Sequence, residues 1–144
     1  MSGICFVGDC RDTLRKLKMK GVVVQTCVTS PPYFGLRDYG VDGQLGLEPT
    51  PEEYIAVTVE VFRGVREVLA DDGTLWLNMG DSYANDAKWG GSTGGKHVTA
   101  LHGGTGVGRS KVTTGLRPKN LIGIPWMLAF ALRADGWYLR QDII

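Results

Sequence analysis

Val22-Val23-Val24-Gln25-Thr26-Cys27-Val28-Thr29-Ser30-Pro31-Pro32-Tyr33 decides the architecture. Its first seven residues are a short, β-branched, mostly apolar run, the composition of a buried strand in a parallel sheet. Two prolines follow almost at once, and proline cannot donate to a sheet ladder. They also hold the preceding residues in an extended shape. The strand ends here, so Ser30, the Pro31 carbonyl and the Tyr33 ring are presented rigidly at its carboxyl end. In an open α/β sheet that edge is where ligands bind.

Working outward, residues 4–7 read as a first strand ending at Gly8-Asp9. Residues 11–18, with Leu14 and Leu17 three apart, read as a short amphipathic helix that Gly21 stops. The strand at 22–28 then makes a strand–helix–strand unit, for which a parallel, right-handed crossover is the rule. After a loop at 34–49 comes the clearest helix signal. Thr50 is the cap, Pro51 the first helical residue, and Glu53 closes a capping box. Tyr54, Ile55, Val59, Val61, Phe62, Val65, Val68 and Leu69 supply its buried stripe. Asp71-Asp72-Gly73 ends it, and residues 74–79 form a third strand. The last helix spans about 121–134, with Asn120 as cap and Pro125 in its first turn. Residues 137–144 read as a final strand. The order β-α-β-α-β-α-β implies a single α/β domain over 1–144, Rossmann-like and three-layered.

Composition narrows the class. The chain has 144 residues, 43% hydrophobic and 22% charged, enough for one core. No apolar stretch is long enough to span a bilayer, and Asp9 interrupts any signal-peptide pattern. A cytoplasmic protein with no membrane partner is expected. Cys5, Cys10 and Cys27 have no metal spacing and read as reduced thiols, so no metal site is expected. Residues 84–119 form a Gly-rich stretch with six basic residues, Lys88, Lys96, Arg109, Lys111, Arg117 and Lys119, against one acid, Asp86. That local +5 leaves −4 for the remainder of a chain whose net charge is +1. Such asymmetry favours a polyanion-facing segment, although a solvated basic loop would look the same.

A hydroxyl, a backbone carbonyl and an aromatic plate at one strand end suit a flipped nucleobase. Two acceptors meet its amino group and one ring stacks on it. Ser30-Pro31-Pro32-Tyr33 resembles the catalytic motif of the DNA amino-methyltransferases. Further matches are Gly8-Asp9-Cys10, Tyr33-Phe34-Gly35-Leu36-Arg37-Asp38-Tyr39-Gly40, Leu75-Trp76-Leu77-Asn78 with Gly80-Asp81-Ser82-Tyr83, and Gly136-Trp137 with Arg140-Gln141-Asp142-Ile143-Ile144. Together they resemble the permuted, β-class branch over nearly the whole chain outside the Gly-rich stretch. The resemblance implies S-adenosylmethionine as cofactor and double-stranded DNA as substrate. It also implies that this chain is the amino-terminal catalytic part, and so an incomplete domain with little activity alone. A cognate restriction endonuclease and a homodimer are the other partners it suggests.

The implied chemistry explains the residue types. An exocyclic amine is a poor nucleophile because its lone pair is delocalised into the ring. Accepting its two hydrogens on Ser30 Oγ and the Pro31 carbonyl pulls the nitrogen toward tetrahedral geometry. No covalent enzyme intermediate is needed. The resemblance therefore assigns Ser30, Pro31, Pro32 and Tyr33 to catalysis, and Asp9, Ser30 and Pro31 to the cofactor. Tyr33, Arg37, Tyr39 and Asp81 are assigned to the base or the DNA, and the charge asymmetry adds Lys96, Arg109, Lys111 and Arg117 to the DNA-facing set. Asp9 reads equally well as a helix cap, and Asp81 as a turn or helix cap. In the family it resembles, serine at the first motif position favours cytosine N4, with adenine N6 as the alternative.

Three other readings compete. Gly103-Gly104-Thr105-Gly106-Val107-Gly108-Arg109-Ser110 nearly spells a phosphate loop, but lacks its lysine, a preceding strand and a following helix. A non-catalytic DNA-binding remnant would keep the basic stretch and lose cofactor contact. A methyltransferase for RNA or a protein amide is opposed by the Gly-Leu-Arg-Asp-Tyr and Gly-Asp-Ser-Tyr matches.

Overall fold

A computed structural model describes residues 3–36, 38–84 and 114–144. Helix α1 spans Cys10–Met19, strand β1 Val24–Thr29, helix α2 Pro51–Arg66, strand β2 Leu69–Leu77 and helix α3 Ile124–Ala134. β1 and β2 pair in parallel across α2, with Cys27 opposite Leu75 and Thr29 opposite Leu77. The strand–helix–strand unit expected over residues 4–28 lacks its first strand; the parallel pair present is instead the next one along the chain.

The core lies on one face of this sheet. Tyr54, Ile55, Val59, Phe62 and Val65 of α2 pack with Ile124, Leu128 and Leu132 of α3 and with Phe34 from the loop after β1. Cys27, Leu75 and Leu77 of the sheet and Leu14 of α1 close against them. Each fully buried large side chain contributes about 1.5–3 kcal/mol. The start of α2 follows its sequence signal. Thr50 Oγ1 accepts from the Glu53 N–H at 3.2 Å, and Pro51 opens the helix. Its far end is tied to the end of α3 by Arg63, whose Nε donates to Asp135 at 2.7 Å. That guanidinium holds the Asp135 carboxyl below the usual carboxylate range.

Several boundaries differ from the sequence reading. Residues 4–7 and 137–144 form no strand, and the described sheet has two strands. Most of their side chains are accordingly bare, Val7 at 97% and Tyr138 at 87% exposure, while Trp137 packs against the core. A strand is stabilised by its neighbours, and apolar composition alone does not supply one. Among the described residues the fold is helices on one sheet face, two layers in place of three. On the opposite face Val28 is 77% and Trp76 52% exposed. Thr26 and Thr74 join hydroxyls across that face at 3.1 Å. β2 starts at Leu69, earlier than expected, because Asp71-Asp72-Gly73 is absorbed in a bulge between the Val24–Leu69 and Thr26–Thr74 pairs. α3 starts at Ile124, because Gly123 at φ 90° breaks the helical path. No described helix is long and apolar enough to cross a membrane.

Candidate active site

The Pro-Pro turn is built from both sides. β1 delivers the chain to Thr29, whose carbonyl accepts from the Asn78 N–H at 2.9 Å. Ser30 is then exposed, while Pro31, Pro32 and Tyr33 are half-buried. The Ser30 hydroxyl donates to the Tyr33 hydroxyl at 3.1 Å, so the two motif side chains meet directly. These four residues, with Leu36 and Tyr39, line a cleft of about 330 Å³. That volume is at the small end of ligand pockets.

Three groups hold the turn that the sequence reading did not single out for it. The Tyr54 hydroxyl, 1% exposed as a residue, donates to the Pro32 carbonyl at 2.8 Å. The Ser82 hydroxyl, also buried, donates to the Phe34 carbonyl at 3.0 Å. Gly80 gives the Tyr33 ring its place: a Cβ there would stand 2.7 Å from the ring carbons. Tyr54 reads in sequence as one more apolar-stripe residue. Its signal would have been that a buried phenol needs a hydrogen-bond partner. The Phe34 ring packs on Tyr54 at 5.4 Å between centroids.

Burial pushes the Tyr54 phenol up to about 12. In an unfolded chain a phenol titrates near ~10. Between those values the folded state binds more protons than the unfolded one. The contribution of this group to stability is therefore complete below pH ~10 and is lost as pH rises through about 12. Tyr54→Phe is expected to flatten the alkaline decline of the urea midpoint relative to wild type. Parallel alkaline limbs for the two proteins would refute this.

The remaining sequence candidates fall into three groups. Asp9 is the N-cap of α1, accepting from the Arg11 N–H at 2.8 Å. The Arg11 side chain also bonds it, which lowers its pKa below the usual carboxylate range. Asp81 caps α3: its carboxylate accepts from the N–H groups of Gly123 and Ile124, each at 3.0 Å, and from Ser82 at 2.8 Å. For both residues the capping alternative is the geometry present. Tyr39 sits at the cleft, 56% exposed, with its N–H bonded to Gln44 Oε1. Arg117 is exposed near a short clasp in which Tyr83 bridges Leu121 and the Ala84 N–H donates to the Asn120 carbonyl. Arg37, Lys96, Arg109 and Lys111 lie outside the described residues. No group of three potential metal ligands occurs among the described residues. Cys5 and Cys10 are exposed free thiols, and Cys27 is a half-buried one.

Comparison with known proteins bears on this geometry. A family model described as DNA methylase matches residues 24–144. The Type II methyltransferase M.SmaI of Serratia marcescens is 50% identical over 138 residues, covering 96% of this chain and 45% of that protein. M.XycI of Xanthomonas campestris pv. cyanopsidis and M.Cfr9I of Citrobacter freundii, also Type II methyltransferases, are each 46% identical over 140 residues and 44% covered. The chain thus spans less than half the length of these curated relatives. No solved structure matches it. With the family model covering most of the chain, and the Ser-Pro-Pro-Tyr cleft inside the matched region, the chain belongs to the N6_N4_Mtase family of DNA methylases.

Proposed function

We propose that this chain is the catalytic part of an S-adenosylmethionine-dependent DNA methyltransferase that modifies the exocyclic amine of a flipped base, cytosine N4 in preference to adenine N6. The observation that carries the proposal is the Ser30–Tyr33 cleft at the carboxyl end of β1. Ser30 Oγ is exposed there, and the Pro31 carbonyl has no partner among the described residues. The two acceptors take the two amine hydrogens, and the Tyr33 ring stacks on the base. S-adenosylmethionine, when bound, supplies the methyl group. Asp9, ionised and solvent-facing, offers it a carboxylate once Arg11 is displaced. The cleft residues thus fit the base, whereas the carboxylate offered to the cofactor caps α1 in this structure. The complete domain would be the three-layer Rossmann-like fold of the β-class branch, with a cognate restriction endonuclease and a homodimer as its assemblies.

Identification of the modified base tests this. Incubation of the full-length protein with labelled S-adenosylmethionine and DNA, followed by nucleoside mass spectrometry, should yield N4-methylcytosine. N6-methyladenine would keep the mechanism and reverse the base choice. Unlabelled DNA would overturn the function and favour a DNA-binding remnant or a non-DNA substrate.

The basic stretch is proposed as the DNA-facing segment, through Lys96, Arg109, Lys111 and Arg117. Deleting residues 86–116 is expected to weaken DNA binding and flatten its dependence on salt. Each lost phosphate contact reduces the log–log slope by about 0.9. Unchanged affinity at low and high salt would remove the segment from the interface.

A further inference from the structure

We propose that Tyr54 and Ser82 are positioning residues: their hydroxyls clamp the carbonyls on either side of Tyr33 and so set the aim of the Pro31 carbonyl. The inference rests on the methyltransferase reading above. Two prolines remove the N–H groups by which a neighbouring strand would fix this turn. Anchorage must come through carbonyls and packing. The Pro32 carbonyl is held by Tyr54 at 2.8 Å, and the Phe34 carbonyl by Ser82 at 3.0 Å. Both donors are buried, at 1% and 4% exposure, so water does not compete for the bonds. They come from different elements, α2 and the segment after β2.

Pro32 locks its own φ, so the Pro31 and Pro32 carbonyls are joined with a single free backbone torsion between them, ψ of Pro32. Fixing the Pro32 carbonyl from α2 therefore restricts the Pro31 carbonyl, which is left for the amine. The Tyr33 carbonyl is confined as well: a Cβ on Gly46, at φ 92°, would stand 3.0 Å from it. Burial pushes the Tyr54 phenol up, so it is a protonated donor at neutral pH. Displacing an acceptor by a fraction of an ångström is costly, since misplacement of about 1 Å costs on the order of 10²-fold in rate.

Tyr54→Phe and Ser82→Ala, singly and together in the full-length protein, test the clamp. The assay uses labelled S-adenosylmethionine and DNA from a methylation-free host, with thermal midpoints in parallel. Each single change should lower kcat per folded molecule about tenfold, with KM for DNA unchanged. Ser82→Thr keeps the hydroxyl and should restore most of the rate. A lower midpoint with wild-type kcat per folded molecule would make the bonds structural only and overturn the proposal. A raised KM at unchanged kcat would do the same. Absence of methyl transfer by the wild type would instead overturn the reading on which the clamp rests.

Discussion

Replacing Ser30 by alanine is expected to slow methyl transfer about 10²-fold while leaving DNA affinity nearly unchanged. An amine conjugated to a base ring acquires nucleophilic character only as its hydrogens are drawn out of the ring plane. In the proposed mechanism two acceptors do this, Ser30 Oγ and the Pro31 carbonyl, and the substitution removes one. A factor of 10² is about 2.7 kcal/mol of transition-state stabilisation, the scale of one hydrogen bond to a developing charge. The fold should hardly register the change. Ser30 is exposed, and its side chain bonds only the Tyr33 hydroxyl among the described residues. Single-turnover rates against DNA dissociation constants separate the two effects. A near-wild-type rate would remove Ser30 from the reaction.

The second large effect is on stability. Asp81→Ala should lower the free energy of unfolding by about 3 kcal/mol, combining a lost helix cap with newly unsatisfied N–H groups. Gly123 places α3 after a left-handed residue that has no side chain to cap it. Asp81 does so from 42 positions away, accepting from the Gly123 and Ile124 N–H groups. Its negative charge also faces the positive end of the helix dipole. For a domain of this size the thermal midpoint should drop by roughly 6–12 °C. Asp81→Asn keeps an acceptor and should recover part of the loss. Were Asp81 chiefly a DNA ligand, alanine would weaken DNA binding at an unchanged midpoint.

The same residue shows where sequence reading reaches its limit. Local signals were legible: Thr50 and Pro51 start α2, and Pro31-Pro32 stop β1, because each acts on its own backbone. Non-local ones were not. Sequence neighbours point to Asn120, just before the expected helix, as the cap of α3, and the carboxylate that caps it belongs instead to Asp81. Residues 4–7 carry strand composition but have no strand partner among the described residues, so composition could not decide their state. At the site, Ser30 and Tyr33 stood out because the motif is contiguous. Tyr54 did not, because a hydroxyl aimed at a carbonyl 22 positions away leaves no periodic trace, and although Gly80 and Ser82 fall inside a quoted match, their contacts with the turn do not show in it. Family membership, carried by many short matches, was readable before any geometry.

The open face of the sheet has an optical consequence. Trp76 lies on it half-exposed, its indole N–H bonded to Thr74 at 3.2 Å. Indole emission moves to shorter wavelength when water is excluded. A variant keeping Trp76 as the only one of the chain's four tryptophans would turn that face into a fluorescent reporter. Any polypeptide that covers the strands would announce itself as a blue shift, with no label attached.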